Sequence, residues 1–290
     1  MTPDTPEAPN DVDILATCSG QVSPGCPTAG PVLDGYSERQ KFQIPTPTIS
    51  YRADFGPIAP PNRTQNPFTF LHPGSYVVFQ LDTQEFATQF HVPQGSESFK
   101  RCLEFPTKRY VGLVVGSFGG ENDPDVQPYD IAFVSESLPP GSGFDTENDS
   151  FAVPIAPTKS GNTNDRTPLR PKPFPWTGCY QYTVLGARIA PTRTYPSAIA
   201  YRLNDEDFED FEVACGTDYL ATHTHGMSFP SDEEAFLFEN MRVSDQSIPL
   251  PVKVWQELSA GQVCRDPREF VQELLHLQEL VSWEVEEPCD

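Results

Sequence analysis

The stretch Arg109-Tyr-Val-Gly-Leu-Val-Val-Gly-Ser-Phe118 is the densest β-forming run in the chain. Tyr110, Val111, Val114 and Val115 are aromatic or β-branched, so their side chains suit a pleated surface better than a helix turn. Pro106 before the run and Gly119-Gly120 after it act as punctuation. Runs of the same kind lie on both sides: Ser75–Leu81, Phe86–Val92 and Tyr129–Val134, then Cys179–Leu185, Ser197–Tyr201, Asp218–Thr222 and Pro251–Trp255. Two sets of four short strands predict a mostly β fold, a two-sheet antiparallel sandwich or jelly-roll-like body.

Helical signals gather near the C-terminus. Ser231-Asp-Glu-Glu234 places an N-cap serine three residues before a glutamate, which predicts a helix near 232–243. Asp266-Pro-Arg-Glu269 puts Asp at the N-cap and Pro at the first helical position, predicting a second helix near 267–283. Phe270, Leu274, Leu277 and Val281 then recur on one face, a stripe suited to sealing the β body.

Residues 1–30 combine Pro, Gly, Ser, Thr and acids with few aromatics, the composition of a flexible acidic arm. Residues 31–290 are then expected to form a single β-rich domain. Within it, 136–175 reads as a long irregular excursion held to the surface by Phe151, Val153, Ile155, Phe174 and Trp176, apolar anchors that a free linker does not need.

The balance of 19 Lys plus Arg against 41 Asp plus Glu, a net charge of −22, repels a phosphate backbone and removes the counterion-release term that drives nucleic-acid binding. No nucleic-acid partner is expected. Nor is a membrane partner, because no run approaches the roughly 20 apolar residues that a spanning helix needs. The first 20 residues have neither a basic segment nor an apolar stretch, unlike a signal peptide, so a cytoplasmic location is expected. The seven cysteines are irregularly spaced and are expected to stay thiols in that reducing setting.

The sharpest chemical pattern is His223-Thr-His225, just after the predicted strand 218–222. Alternate residues of a strand share a face, so two imidazoles at this spacing are able to chelate one metal ion. Strand-borne His-x-His resembles the metal-ligand pair of the cupin β-barrels, which implies a divalent metal with Glu233 or His91 as a third ligand. Glu233 lies farther downstream than that family's third ligand, and no later Gly-rich segment carries a fourth histidine. The plain alternative is a pair of polar histidines at a loop edge and no cofactor. The acidic run Asn204–Glu212 reads as a solvated edge, with Phe208 and Phe211 marking a short helical turn pinned to the core.

No P-loop, dinucleotide fingerprint or nucleophile elbow is present in the sequence. The expectation is therefore a non-catalytic binding or structural protein on a β-sandwich scaffold, with a protein or carbohydrate ligand. The alternative is a metal-dependent enzyme acting on a small molecule through the His-x-His site.

Overall fold

The computed structural model describes residues 70–117, 127–140, 151–158, 166–199, 201–224, 229, 231–243 and 247–282. Six strands are present among them: β1 (Tyr76–Leu81), β2 (Tyr110–Ser117), β3 (Tyr129–Ser135), β4 (Ala152–Pro154), β5 (Tyr180–Tyr195) and β6 (Leu250–Trp255). Five α-helices accompany them: α1 (Thr83–Gln89), α2 (Glu97–Glu104), α3 (Asp205–Thr224), α4 (Asp232–Met241) and α5 (Pro267–Ser282).

The expected two-sheet antiparallel sandwich or jelly roll is not what forms. The strands follow the order β3-β2-β1-β6-β5-β4, and β3 pairs with β5 as well, which closes five of them into a barrel with β4 as an extra strand on β5. The barrel is mixed: β5 and β6 run parallel and the other pairs are antiparallel. Closure leaves the five strands no exposed barrel edge.

The strand responsible is β5, which is 16 residues long where the sequence predicted seven. Its first residues pair with β4 and the end of β3, its middle with the start of β3, and the stretch from Ile189 to Tyr195 with β6. Gly186 and Pro191 conceal this continuity, since both are strand breakers in sequence. Each has a local reason. A Cβ on Gly186 would sit 1.9 Å from the Ile131 carbonyl oxygen, so only glycine lets β5 press against β3 there. Pro191 stands at a register shift between β5 and β6, where a missing N–H does least harm.

Two other predicted strands are helices. Phe86–Val92 falls largely in α1, because Phe86 and Phe90 are also spaced i and i+4; their rings lie 4.6 Å apart on one helix face. Asp218–Thr222 belongs to α3. Ser197–Tyr201 is not a strand, although Tyr201 is buried and Arg202 makes single bridges to Ser75 and Lys172.

The predicted caps hold in detail. Ser231 Oγ accepts from the Glu234 N–H at 3.2 Å, and Asp266 Oδ1 accepts from the Arg268 N–H at 2.9 Å. One face of all five barrel strands contributes to a single core, with Val77, Phe79, Val114, Ile131, Phe133, Ile189, Val252 and Val254 among its members. Helix α5 seals it by inserting Phe270, whose ring meets Phe79, Tyr110 and Phe133 edge-on at 5.2–5.7 Å. The same helix buries Glu273, which accepts from the Tyr110 hydroxyl at 2.9 Å and from the Lys108 N–H at 3.2 Å.

A second core lies behind β1, β2 and β3, where Tyr76, Val78, Leu113 and Val134 meet Val153, Ile155 and Leu169 from the excursion and Phe211 from α3. Among the described residues no helix is long and apolar enough to cross a membrane.

Candidate functional site

Helix α3 starts where an acidic solvated edge was expected. Asn204 Oδ1 accepts from the Asp207 N–H at 2.7 Å, an N-cap with an acid at the third helical position, and three acids occupy the first turn. This is the pattern that correctly placed α4 and α5, and it was the legible signal for α3.

The helix is fastened to the body through charge. Asp207 is 1% exposed and accepts from three nitrogens of Arg170: the backbone N–H at 3.1 Å, Nε at 3.2 Å and Nη2 at 2.8 Å. Asp218, eleven residues on, is 5% exposed and accepts from Arg166 Nη1 at 2.8 Å, from Arg166 Nη2 and from the Thr183 hydroxyl on β5. Phe211 is buried between these two anchors. Aspartates are almost never buried unless paired, because desolvating a carboxylate is costly; here the guanidinium groups and the hydroxyl offset that cost.

The outer side carries what a core normally takes. Val213 is 69% exposed, Leu220 62% and Tyr219 54%. Val213 and Leu220 are seven residues apart, about two turns, and so share a face, with Gly216 and Thr217 exposed between them. Exposed Glu209, Asp210 and Glu212 border the N-terminal half, and the helix contains no Lys or Arg. Both sides of the helix are thus mixed, with Asp207 and Asp218 inside beside Phe211, and Val213, Tyr219 and Leu220 outside beside acids.

Cys215 stands next to Asp218. Burial, reinforced by the Asp218 charge, pushes its thiol up to about 12, so it stays protonated at neutral pH.

His223 sits at the end of this helix rather than after a strand. His223 Nδ1 lies 2.7 Å from the Tyr219 carbonyl oxygen and so donates to it, which leaves Nε2 to accept from Arg242 Nη2 at 2.7 Å. The imidazole also packs on the Tyr219 ring, with the Arg242 guanidinium 5.9 Å from the same ring. Both ring nitrogens therefore serve the junction between α3 and the end of α4. Glu233 is exposed in the first turn of α4, the opposite end of that helix from Arg242, so the fold does not bring it to His223. His225 lies outside the described residues. His91 is exposed in the turn after α1, with φ +56°. Among the described residues no three His, Cys, Asp or Glu side chains are grouped to hold a metal ion.

The other surface arrangement of note is Trp255 on β6. Tyr195 stacks parallel to it at 4.9 Å, and the Arg109 guanidinium lies 4.2 Å from its ring. The indole is thus engaged by both a ring and a guanidinium group.

No protein-family model, no curated protein and no solved structure matches this chain. The class is therefore given by the fold and the helix alone: a closed five-stranded barrel that holds an acidic helix with apolar residues turned outward.

Proposed function

We propose that this is a non-catalytic recognition protein of the cytoplasm, in which the barrel holds α3 as a display helix for a partner protein. The observation that carries this reading is the exposure of Val213, Tyr219 and Leu220 on α3. Exposed apolar residues grouped on a rigid element mark interaction surfaces, and the ion pairs of buried Asp207 and Asp218 together with Phe211 fix which side of the helix faces the body, so that Val213, Tyr219 and Leu220 stay outward. The acids beside them favour a partner that sets apolar side chains among Lys and Arg, since complementary charge steers encounter and fixes register. A protein ligand is favoured over a carbohydrate because Trp255 is already engaged by Tyr195 and Arg109, and Tyr219 by His223 and Arg242.

A photo-reactive amino acid placed at Val213 of the full chain in cells tests this. The expected result is a cross-link to one protein, lost when Glu209 and Glu212 are both changed to Lys and kept when the distant Glu97 is changed to Lys. Cross-links only within the chain, or a partner indifferent to the Glu209/Glu212 reversal, would overturn the reading.

A further inference from the structure

Two of the described cysteines, Cys179 and Cys264, are buried in the same core and joined to no other cysteine. Cys179 immediately precedes β5, and its neighbour Tyr180 pairs with Ser135 at the end of β3. Cys264 lies in the segment between a 3-10 turn (Leu258–Ala260) and α5, and its thiol points at the same strand end, with Sγ 3.4 Å from the Val134 carbonyl oxygen. The two side chains share the second core at the Val134–Ser135 end of β3, Cys264 donating its thiol to Val134 and Cys179 preceding the residue that pairs with Ser135. Cys102 sits in the other core, and Cys215 belongs to the Asp218 corner of α3.

We propose that Cys179 and Cys264 close into an intramolecular disulfide when the chain folds in the presence of an oxidising thiol–disulfide couple, and that folding then seals the pair in whichever redox state it holds. The geometry favours closure. Cys179 is held by the start of β5 and by its carbonyl, which accepts from the Ile155 N–H at 2.9 Å. Cys264 stands outside any helix or strand, next to exposed Val263, so its backbone is able to adjust as the sulfurs move to about 2.05 Å. The chemistry is two exchanges. The thiolate of one cysteine displaces a glutathione thiolate from glutathione disulfide, and the thiolate of the other then displaces the second. Two electrons pass from the protein to glutathione, and the two thiol protons end on the two glutathione molecules released.

Sealing follows from burial. The folded Cys264 thiol is held far above its ordinary value by the neighbouring Cys179 thiol, by desolvation and by nearby carboxylates, including Glu136 and Asp266, so little thiolate exists to attack. In the unfolded chain Cys264 regains an ordinary thiol acidity, and both thiols are open to the oxidant. The bond would close a loop of about 85 residues that spans β5, α3, α4 and β6, and a loop of that length gives a large entropic constraint on the unfolded chain. In the cytoplasmic setting proposed above the pair stays reduced; in an oxidising setting the same residues become a staple.

The test uses the full chain, unfolded in denaturant and refolded in a reduced/oxidised glutathione buffer, then alkylated and mapped by peptide mass spectrometry. The expected product is a Cys179–Cys264 cross-link two hydrogens lighter than the dithiol, absent in C179S and in C264S, with Tm about 5–10 °C above that of protein refolded in reductant. Protein folded first in reductant and then moved to the same buffer is expected to form the bond about ten-fold more slowly, or slower still. Folded protein with Cys179 and Cys264 both alkylated, pairing of either with another cysteine, a cross-linked species of lower Tm, or equal rates in the two arms would each overturn the proposal.

Discussion

Arg166 grips Asp218 with both terminal guanidinium nitrogens, Nη1 to Oδ2 at 2.8 Å and Nη2 to Oδ1, across 52 residues of sequence. The side chains are 16% and 6% exposed, so the pair is screened far less than a surface bridge. With Asp207 and Arg170 it decides which side of α3 faces the body.

Removing one partner leaves an uncompensated buried charge. Asp218→Ala is expected to lower unfolding free energy by about 3–5 kcal/mol, read from urea midpoints at unchanged slope. The double variant Arg166→Met with Asp218→Leu should recover more than half of that loss. Simple additivity of the two single losses would show that the charges act independently.

The outer side of α3 should be silent in the same assay. Val213→Glu and Leu220→Glu are each expected to move stability by no more than about 0.5 kcal/mol, whereas Phe211→Ala, two residues from Val213, should cost about 3–5 kcal/mol. A large loss at Val213 or Leu220 would mean that these residues pack within the fold and are not available for display.

Glu273 makes stability pH-dependent in the direction opposite to an ordinary salt-bridged acid. Desolvation raises its pKa, against lowering contributions from the Lys108 N–H and the Tyr110 hydroxyl. Between the unfolded carboxylate value of about 4.3 and the raised folded value, the native state holds the extra proton, so stability contributed by the protonated form is lost as pH rises through that window. Glu273→Gln removes the titration. Its Tm relative to the parent should therefore climb from pH 4 towards neutrality; a flat difference across that range would place the titration elsewhere.

Closure of the barrel rests on Gly186. Gly186→Ala puts a methyl group into the Ile131 backbone carbonyl, which cannot yield as a side chain end can. Over-packing of that kind costs about 1–3 kcal/mol or more, and it should act first on the β3–β5 pairing. Hydrogen exchange is expected to speed at Ile131 and Ala187 before it does at Tyr76–Phe79 on β1. Uniform loss of protection would deny β3–β5 that separate standing.

Much of this molecule was legible in the sequence at the level of single elements. β1, β2, β3 and β6 were read within a few residues because each is a short apolar run between turn residues, and α4 and α5 were read from their caps. The Asn204 cap carried the same information for α3 and was obscured by the acids that follow it. Phe86 and Phe90 fit both a strand and a helix period, and only packing distinguishes the two. The candidate site was hidden for a different cause: Val213, Tyr219 and Leu220 look like core residues, and nothing local marks them as exposed.

The sequence by itself determined that the protein is acidic, β-rich and helical towards its end, because residue chemistry and local periodicity act over a few positions. Tertiary structure alone decided that the strands close into a barrel and that α3 turns Val213, Tyr219 and Leu220 outward. Closure depends on a backbone contact between Gly186 and Ile131, and the orientation of α3 on Asp207 and Asp218 meeting Arg170 and Arg166. These interactions join residues 37 to 55 positions apart, beyond the reach of any local pattern.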